Sequence, residues 1–309
     1  MPIAPIVLFV YNRPFHTRKT VESLKKSSLT DKSALFIYSD GAKFDSDREN
    51  VESVRKYIHR IDGFSEIHIT ENRYNKGLHD SIISGITEVI KINSRIIVLE
   101  DDLIFSKNFL LYMNDALDFY EDNFKVFSVS GYCYPYTIPK NYNFDGYFFQ
   151  RTSSWGWGTW KRSWEKFDPE IKDYNNFIGD RKAVKKFNQG GDDLTRLLKY
   201  QMEGKISSWS IKFNYTAYLH DGLTLYPVKT KVKNIGSEGS GTHKDSCALI
   251  NRQTIDRDDC QNHFLFPDRV KTEHVINKNF LLFIHKIANE DFFSKTKRRI
   301  KKLFRICLK

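Results

Sequence analysis

The sequence predicts an α/β fold in which a mostly parallel sheet is covered by helices on both faces. Two features carry the prediction. Short apolar runs alternate with longer amphipathic stretches through the first 130 residues, the signature of strand–helix–strand repeats. Each run also ends in polar residues, and ligands of such sheets bind outside the carboxyl ends of the strands.

In order, the predicted strands are PIVLFVYN at 5–12, ALFIYSD at 34–40, EIHITEN at 66–72, RIIVLEDD at 95–102 and KVFSVSG at 125–131. Between them HTRKTVESLKKS, SDRENVESVRKYIHR, GLHDSIISGITEVIKI and SKNFLLYMNDALDFYED predict helices. The pattern then changes. Residues 131–168 are rich in aromatics and glycine around SSWGWGTWKRSWEKFD, and a helix is expected over 192–204. SSWSIKFNYTAYLHDG leads into a short strand, LTLYP, and the glycine-rich NIGSEGSGTHKD follows at 234–245. The expected organisation is one domain over 1–270, with a nucleotide-facing half (1–131) and a second lobe (132–270), followed by a basic helical tail over 271–309.

At 309 residues, 40% of them hydrophobic, the chain can bury a sizeable core, which excludes global disorder. A formal charge of +11 favours an anionic partner. Cys133, Cys247, Cys260 and Cys307 are scattered with no C-x-x-C pair, so neither a zinc site nor a disulfide framework is expected, and a reducing cytosol is the simplest compartment. MPIAPIVLFVYNRP has neither a basic leader nor a small-residue cleavage site, and is read as neither signal peptide nor anchor.

The chemistry concentrates at strand ends. Glu100, Asp101 and Asp102 stack three negative charges behind the fourth apolar run. Such a triplet either caps the next helix or holds a hard cation, Mg²⁺ or Mn²⁺, against a substrate phosphate. Asn12 and Arg13, Asp40, and Asn72 and Arg73 end the other runs; for Arg13 and Asp40 a strand-end cap or local ion pair is the competing role. Trp160 and Trp164, at helical spacing, read as core, whereas Trp155 and Trp157 read as a wall for a sugar or acceptor.

With these motifs in place the chain resembles glycosyltransferases of the GT-A fold. YNRP, SDG, NRYNKG, LEDDL, WGWGTWKRSW, DDL and NIGSEGSGTH occur in family order across about residues 5–245. LEDDL is similar to the acidic signature of the N-acetylglucosaminyltransferase I group and of bacterial family-2-like sugar transferases. The resemblance implies a metal-dependent inverting transferase using a UDP-linked sugar. Asp102 would ligate the metal, Asp101 would meet the ribose and Glu100 a sugar hydroxyl. Asp40 would pair with uracil, and Arg13 and Arg73 would lie along the nucleotide. Asp193, with Asp192 as the alternative, would be the general base, although an aspartate before a helix is also an ordinary cap. His243 would complete the metal shell or touch phosphate. Two departures stand out: Asn72 replaces a histidine of the animal enzymes, and SSWSIKF has serines where many bacterial relatives carry a second acid.

FFSKTKRRIKKLFRICLK, residues 292–309, places Phe293, Ile300, Leu303, Phe304, Cys307 and Leu308 on one helical face amid lysines and arginines. A basic amphipathic helix suits an anionic membrane surface, so residues 290–309 are expected to hold the protein on the inner face of the cytoplasmic membrane near a lipid-linked glycan acceptor. The competing role is a helix packed back on the domain; the stripe is helical and aliphatic, so nucleic acid is not the expected partner. Two other classes remain open: a nucleotidyltransferase, which would need an early glycine-rich phosphate loop, and a non-catalytic membrane adaptor with a degenerate transferase fold.

Overall fold

The computed structural model describes residues 2–236, 254–257 and 260–286. Its strands are β1 (Ile6–Val10), β2 (Ala34–Ser39), β3 (Glu66–Glu71), β4 (Arg95–Glu100), β5 (Leu103–Phe105), β6 (Val126–Ser130), β7 (Gly146–Phe149), β8 (Trp157–Trp160), β9 (Leu223–Pro227) and β10 (Val232–Asn234). The helices are α1 (Pro14–Leu24), α2 (Arg48–Ile58), α3 (Leu78–Ile92), α4 (Phe109–Phe119), α5 (Lys161–Trp164), α6 (Tyr174–Gly179), α7 (Arg181–Phe187), α8 (Leu194–Met202) and α9 (Trp209–Leu219), followed by α10 over 274–286.

One sheet runs β3-β2-β1-β4-β8-β6-β9-β7, and β5 pairs with β10 in a small antiparallel ribbon. β1, β2, β3 and β4 are mutually parallel, while β8 lies antiparallel between β4 and β6. The fold is thus α/β with a mostly parallel sheet. Both faces are buried, which is why β1 reads as one continuous apolar run. Ile6, Leu8 and Val10 pack with α1, α2 and α4, and Val7 and Phe9 pack with α3 and α9.

The sheet crosses the expected boundary near residue 131: β7, β8 and β9 all come from the second half. The run predicted over 95–102 ends at Glu100; after a turn the chain makes β5, and α4 starts at Phe109 rather than at Ser106. The reason is non-local, because Leu103–Phe105 pairs with Asn234–Val232. Residues 271–286, grouped by composition with the tail, pack on the domain: Ile276, Phe280 and Ile284 join Tyr147, Phe149 and Tyr226 in a buried cluster. The rest of the tail, 287–309, and His243 lie outside the described residues. Among the described residues no helix is long and apolar enough to cross a membrane.

Candidate active site at the carboxyl edge of the sheet

β1 and β4 are neighbours, with Phe9 opposite Glu100. The residues just past each strand therefore meet, and Pro14 at the first position of α1 turns the chain immediately after Arg13. The Arg13 guanidinium spans the acidic lip. Its Nη2 bonds Asp101 Oδ1 and donates to Asp102 Oδ2 at 3.0 Å. Asp102 is also held from β10: Asn234 Nδ2 donates to its Oδ1 at 3.2 Å, and Ile235 N–H donates to its backbone carbonyl at 2.8 Å. Gly236 lies so close that a Cβ there would fall 2.1 Å from Asp102 Oδ2. Asn234 in turn accepts the Gly236 N–H at 2.8 Å. Asp101 and Asp102 are 4% and 8% exposed, and Asp101 Oδ2 is buried without a hydrogen-bond partner.

Burial, and then the charges of Asp102 and Asp101, push the Glu100 carboxyl up to about 8 against the pull of Arg13. Burial likewise raises the Asp101 carboxyl, with Arg13 opposing. Among the described residues no three carboxylate, imidazole or thiolate groups converge as a ready metal cage; the guanidinium stands between Asp101 and Asp102. Hard oxygens in threes nevertheless match the donor preference of Mg²⁺ or Mn²⁺. The partnerless Asp101 oxygen is one that a cation or a hydroxyl would satisfy, so the residues fit such an ion once Arg13 moves aside.

Asp40, 6% exposed, is committed to the chain itself. It accepts N–H groups of Lys76 (2.9 and 3.2 Å), Gly77 (2.9 Å) and Gly41 (3.0 Å), clamping the loop that enters α3. Asp40 thus fills the strand-end cap role that the sequence offered beside uracil recognition. Asn72 supports the same cap, its Nδ2 lying 3.4 Å from Asp40 Oδ1. Arg73 is exposed, with its guanidinium over the Tyr74 ring.

Trp157 is also corrected. It is 1% exposed in β8, stacked on Trp209 at 5.1 Å and close to Phe213, so it belongs to the core under α9 and not to a sugar wall. The glycines flanking it serve packing: Gly131 N–H bonds Gly156 O at 2.7 Å, and Gly156 has φ +60. Trp155 is part-exposed and meets Tyr132 edge-on at 4.6 Å; Tyr132 meets Tyr134 at 5.0 Å.

Beyond this aromatic row lies an ion pair that no sequence motif indicated. Arg151 holds Asp193 in a two-pronged bridge, 2.7 and 2.9 Å. Burial works to raise the Asp193 carboxyl, but the Arg151 guanidinium prevails and keeps it below the usual carboxylate range. The bridge anchors Asp193 at the start of α8. Asp192 points outward, its side chain 69% exposed, with His285 Nε2 of α10 at 3.0 Å. Sequence reasoning missed Arg151, Asn234 and His285, whose partners lie far away in the chain. A hollow of about 620 Å³ beside Phe119 and Phe124 lies before β6, at the opposite edge of the sheet, and gathers no comparable set of reactive groups.

No protein-family model matches the sequence, and no curated protein matches it. Solved structures do. They include a mannosyltransferase from Pyrobaculum calidifontis in complex with GDP-Man and Mn²⁺ (10% identity, 51% of this chain and 44% of that one, TM-score 0.35). TarS of S. aureus (11%, 76% and 37%, 0.43) and apo mouse xyloside xylosyltransferase 1 (11%, 69% and 80%, 0.34) also match. So does a putative glucose-1-phosphate thymidylyltransferase from Bacillus anthracis (11%, 82% and 98%, 0.38). The match spans less than half of the first two chains. At these identities the likeness is one of architecture.

Two predictions follow from the lip and the ion pair. Between the ordinary glutamate value of 4.5 and about 8, the native lip keeps a proton that the unfolded chain releases, so Glu100 makes stability fall as pH rises through that window. Urea unfolding at pH 5 and pH 8 should show a loss that Glu100→Gln removes; equal losses in both proteins would discard the assignment. Asp193→Asn strands the Arg151 charge and should cost about 3–5 kcal/mol in chemical denaturation. Asp192→Asn, at an exposed position, should stay within about 0.5 kcal/mol of wild type.

Proposed function

We propose that the chain is a metal-dependent, inverting glycosyltransferase of GT-A architecture. It takes a sugar from a nucleoside diphosphate donor, UDP-linked, and passes it to a growing, lipid-linked bacterial surface glycan. The observation that carries this reading is the acidic lip itself. A buried carboxylate pair lies at the carboxyl end of the fourth parallel strand, bridged by an arginine from the first, with one carboxylate oxygen left unpaired. The ordered set of motifs from YNRP to NIGSEGSGTH supports the same reading.

Asp102 would hold Mn²⁺ or Mg²⁺, which when bound supplies positive charge to the departing diphosphate, while Asp101 meets the ribose and Glu100 a sugar hydroxyl. Arg13 and the exposed Arg73 add fixed cations along the nucleotide. Trp155, with Tyr132 behind it, forms the apolar wall for the sugar or acceptor. Inversion requires the acceptor oxygen to attack the anomeric carbon opposite the diphosphate. The carbon–oxygen bond to the diphosphate breaks, and the hydroxyl proton passes to a base. Asp192 takes that proton, oriented by His285, while Asp193 and Arg151 fix the loop that carries it. Residues 290–309 hold the enzyme on the anionic inner face of the cytoplasmic membrane.

Calorimetric titration with UDP, CMP and ATP, with and without Mn²⁺, tests the reading. Metal-dependent UDP binding is expected. A preference for ATP would indicate a nucleotidyltransferase, and no binding would indicate an adaptor. Asp102→Ala should abolish Mn²⁺-dependent UDP binding and keep the fold; a mutant titrating like wild type sinks the metal assignment. Asp192→Asn should bind donor but lose transfer by about 10²–10⁴. Deleting residues 290–309 should reduce sedimentation with anionic vesicles while UDP binding persists; vesicle binding unchanged by the deletion would remove the membrane assignment.

A further inference from the structure

Arg13 presents a problem that the donor site alone does not resolve. A guanidinium and a divalent ion cannot both sit between the same two carboxylates, yet Arg13 Nη2 engages Asp101 and Asp102 together. Among the described residues the opposite prong, Nη1, is buried without a hydrogen-bond partner, and it faces Gly236, where a Cβ would lie 3.0 Å away. Arg13 thus has one prong on the acids and one free, at the point where β10 closes over Asp102. Asp101 Oδ2 is equally without a partner, in a residue 4% exposed. An unsatisfied donor and an unsatisfied acceptor in one buried cluster mark an arrangement completed by something carrying both charges.

We infer that Arg13 is an exchangeable counterion: without nucleotide it holds Asp101 and Asp102 together and keeps a divalent cation out. A nucleoside diphosphate admits the cation by drawing the guanidinium from carboxylate to phosphate. This deepens the donor-site reading and rests on it. The chemistry is symmetrical. Arg prefers planar two-oxygen partners, and a diphosphate offers the same oxygens as a carboxylate pair with more charge. The carboxylates, once released, bind a hard cation more strongly than they bind a guanidinium. The exchange leaves no charge unpaired at either end, and it makes cation and nucleotide binding mutually dependent. The closure is braced from β10, since Asn234 donates to Asp102 and accepts from Gly236. Metal entry therefore has to move Arg13 and not Asp102.

The test titrates the full-length protein with Mn²⁺ alone, followed by electron paramagnetic resonance of the free ion, and repeats the titration with UDP present. Wild type should bind Mn²⁺ weakly alone and at least about tenfold more tightly with UDP, a difference of about 1.4 kcal/mol. Arg13→Gln, with the counterion removed, should bind Mn²⁺ alone about tenfold more tightly than wild type, while its UDP affinity falls. Arg13→Lys keeps the charge, protecting the fold of the lip, but it lacks the second prong and the planar fork of the guanidinium, so it should gain a smaller part of that affinity. If both variants bind Mn²⁺ alone as wild type does, the exchange is overturned while UDP binding with Mn²⁺ leaves the donor site standing. If no protein binds Mn²⁺ even with UDP, the metal reading falls and the exchange falls with it.

Discussion

Two carboxylates buried side by side repel one another unless a cation lies across both. At the effective dielectric of a partly buried site, like charges about 4 Å apart cost on the order of 4 kcal/mol. In this chain the cation is Arg13, and sheet register places it there. Because Phe9 stands opposite Glu100, the residues just beyond β1 emerge beside those just beyond β4. Pro14 then starts α1 at once, so Arg13 is the last residue able to reach the lip before the chain turns away. Moving either strand by one residue would reverse the side-chain faces and separate the charges.

A related solution recurs along the carboxyl edge, where buried and half-buried polar groups brace one loop to the next. Asp40 caps the loop into α3, while Asp47 accepts from Tyr11 and Asn12 and holds the segment after β2 against β1. Arg55 of α2 donates to the Asn72 carbonyl at 2.7 Å and ties β3 to the set. The edge is therefore stiff before any ligand arrives, and preorganised donors and acceptors lower the cost of binding. The lip, with its unpartnered Asp101 oxygen and Arg13 nitrogen, is where this bracing remains incomplete.

The first half of the fold was legible because β1, β2 and β4 are largely buried and read as apolar runs ending in polar residues, while the edge strand β3 alternates Ile67 and Ile69 with polar residues. The second half hides its pairing. Trp157–Trp160 is a central strand, yet its composition resembles a ligand platform, since a strand squeezed between two others uses tryptophan and glycine to fill space. β5 is three residues long and exists only because β10 lies beside it. Of the site, the acidic triplet and Arg13 were visible as strand-end charges. Their mutual contact was not, and neither were Arg151, Asn234 and His285, each of which acquires its partner only through tertiary structure. Asp40 shows the converse limit: an aspartate after a strand carries the same local signal whether it serves a ligand or its own backbone.

The two adjacent acids at the start of α8 show how partners, rather than position, divide chemical work. Asp193 faces inward, where Arg151 grips both its oxygens and keeps its proton affinity low. Asp192, one residue earlier, projects outward to His285 on α10. Of the two, the outward residue is the one open to a partner from solvent, its side chain 69% exposed against 16% for Asp193. An anchor must resist the motion of the loop, which a buried two-pronged bridge does and an exposed single contact does not. Because α10 supplies His285 while packing Ile284 into the core beside β7, the outward acid too is met by an element distant in sequence, and the two neighbours differ in which part of the fold supplies their partner.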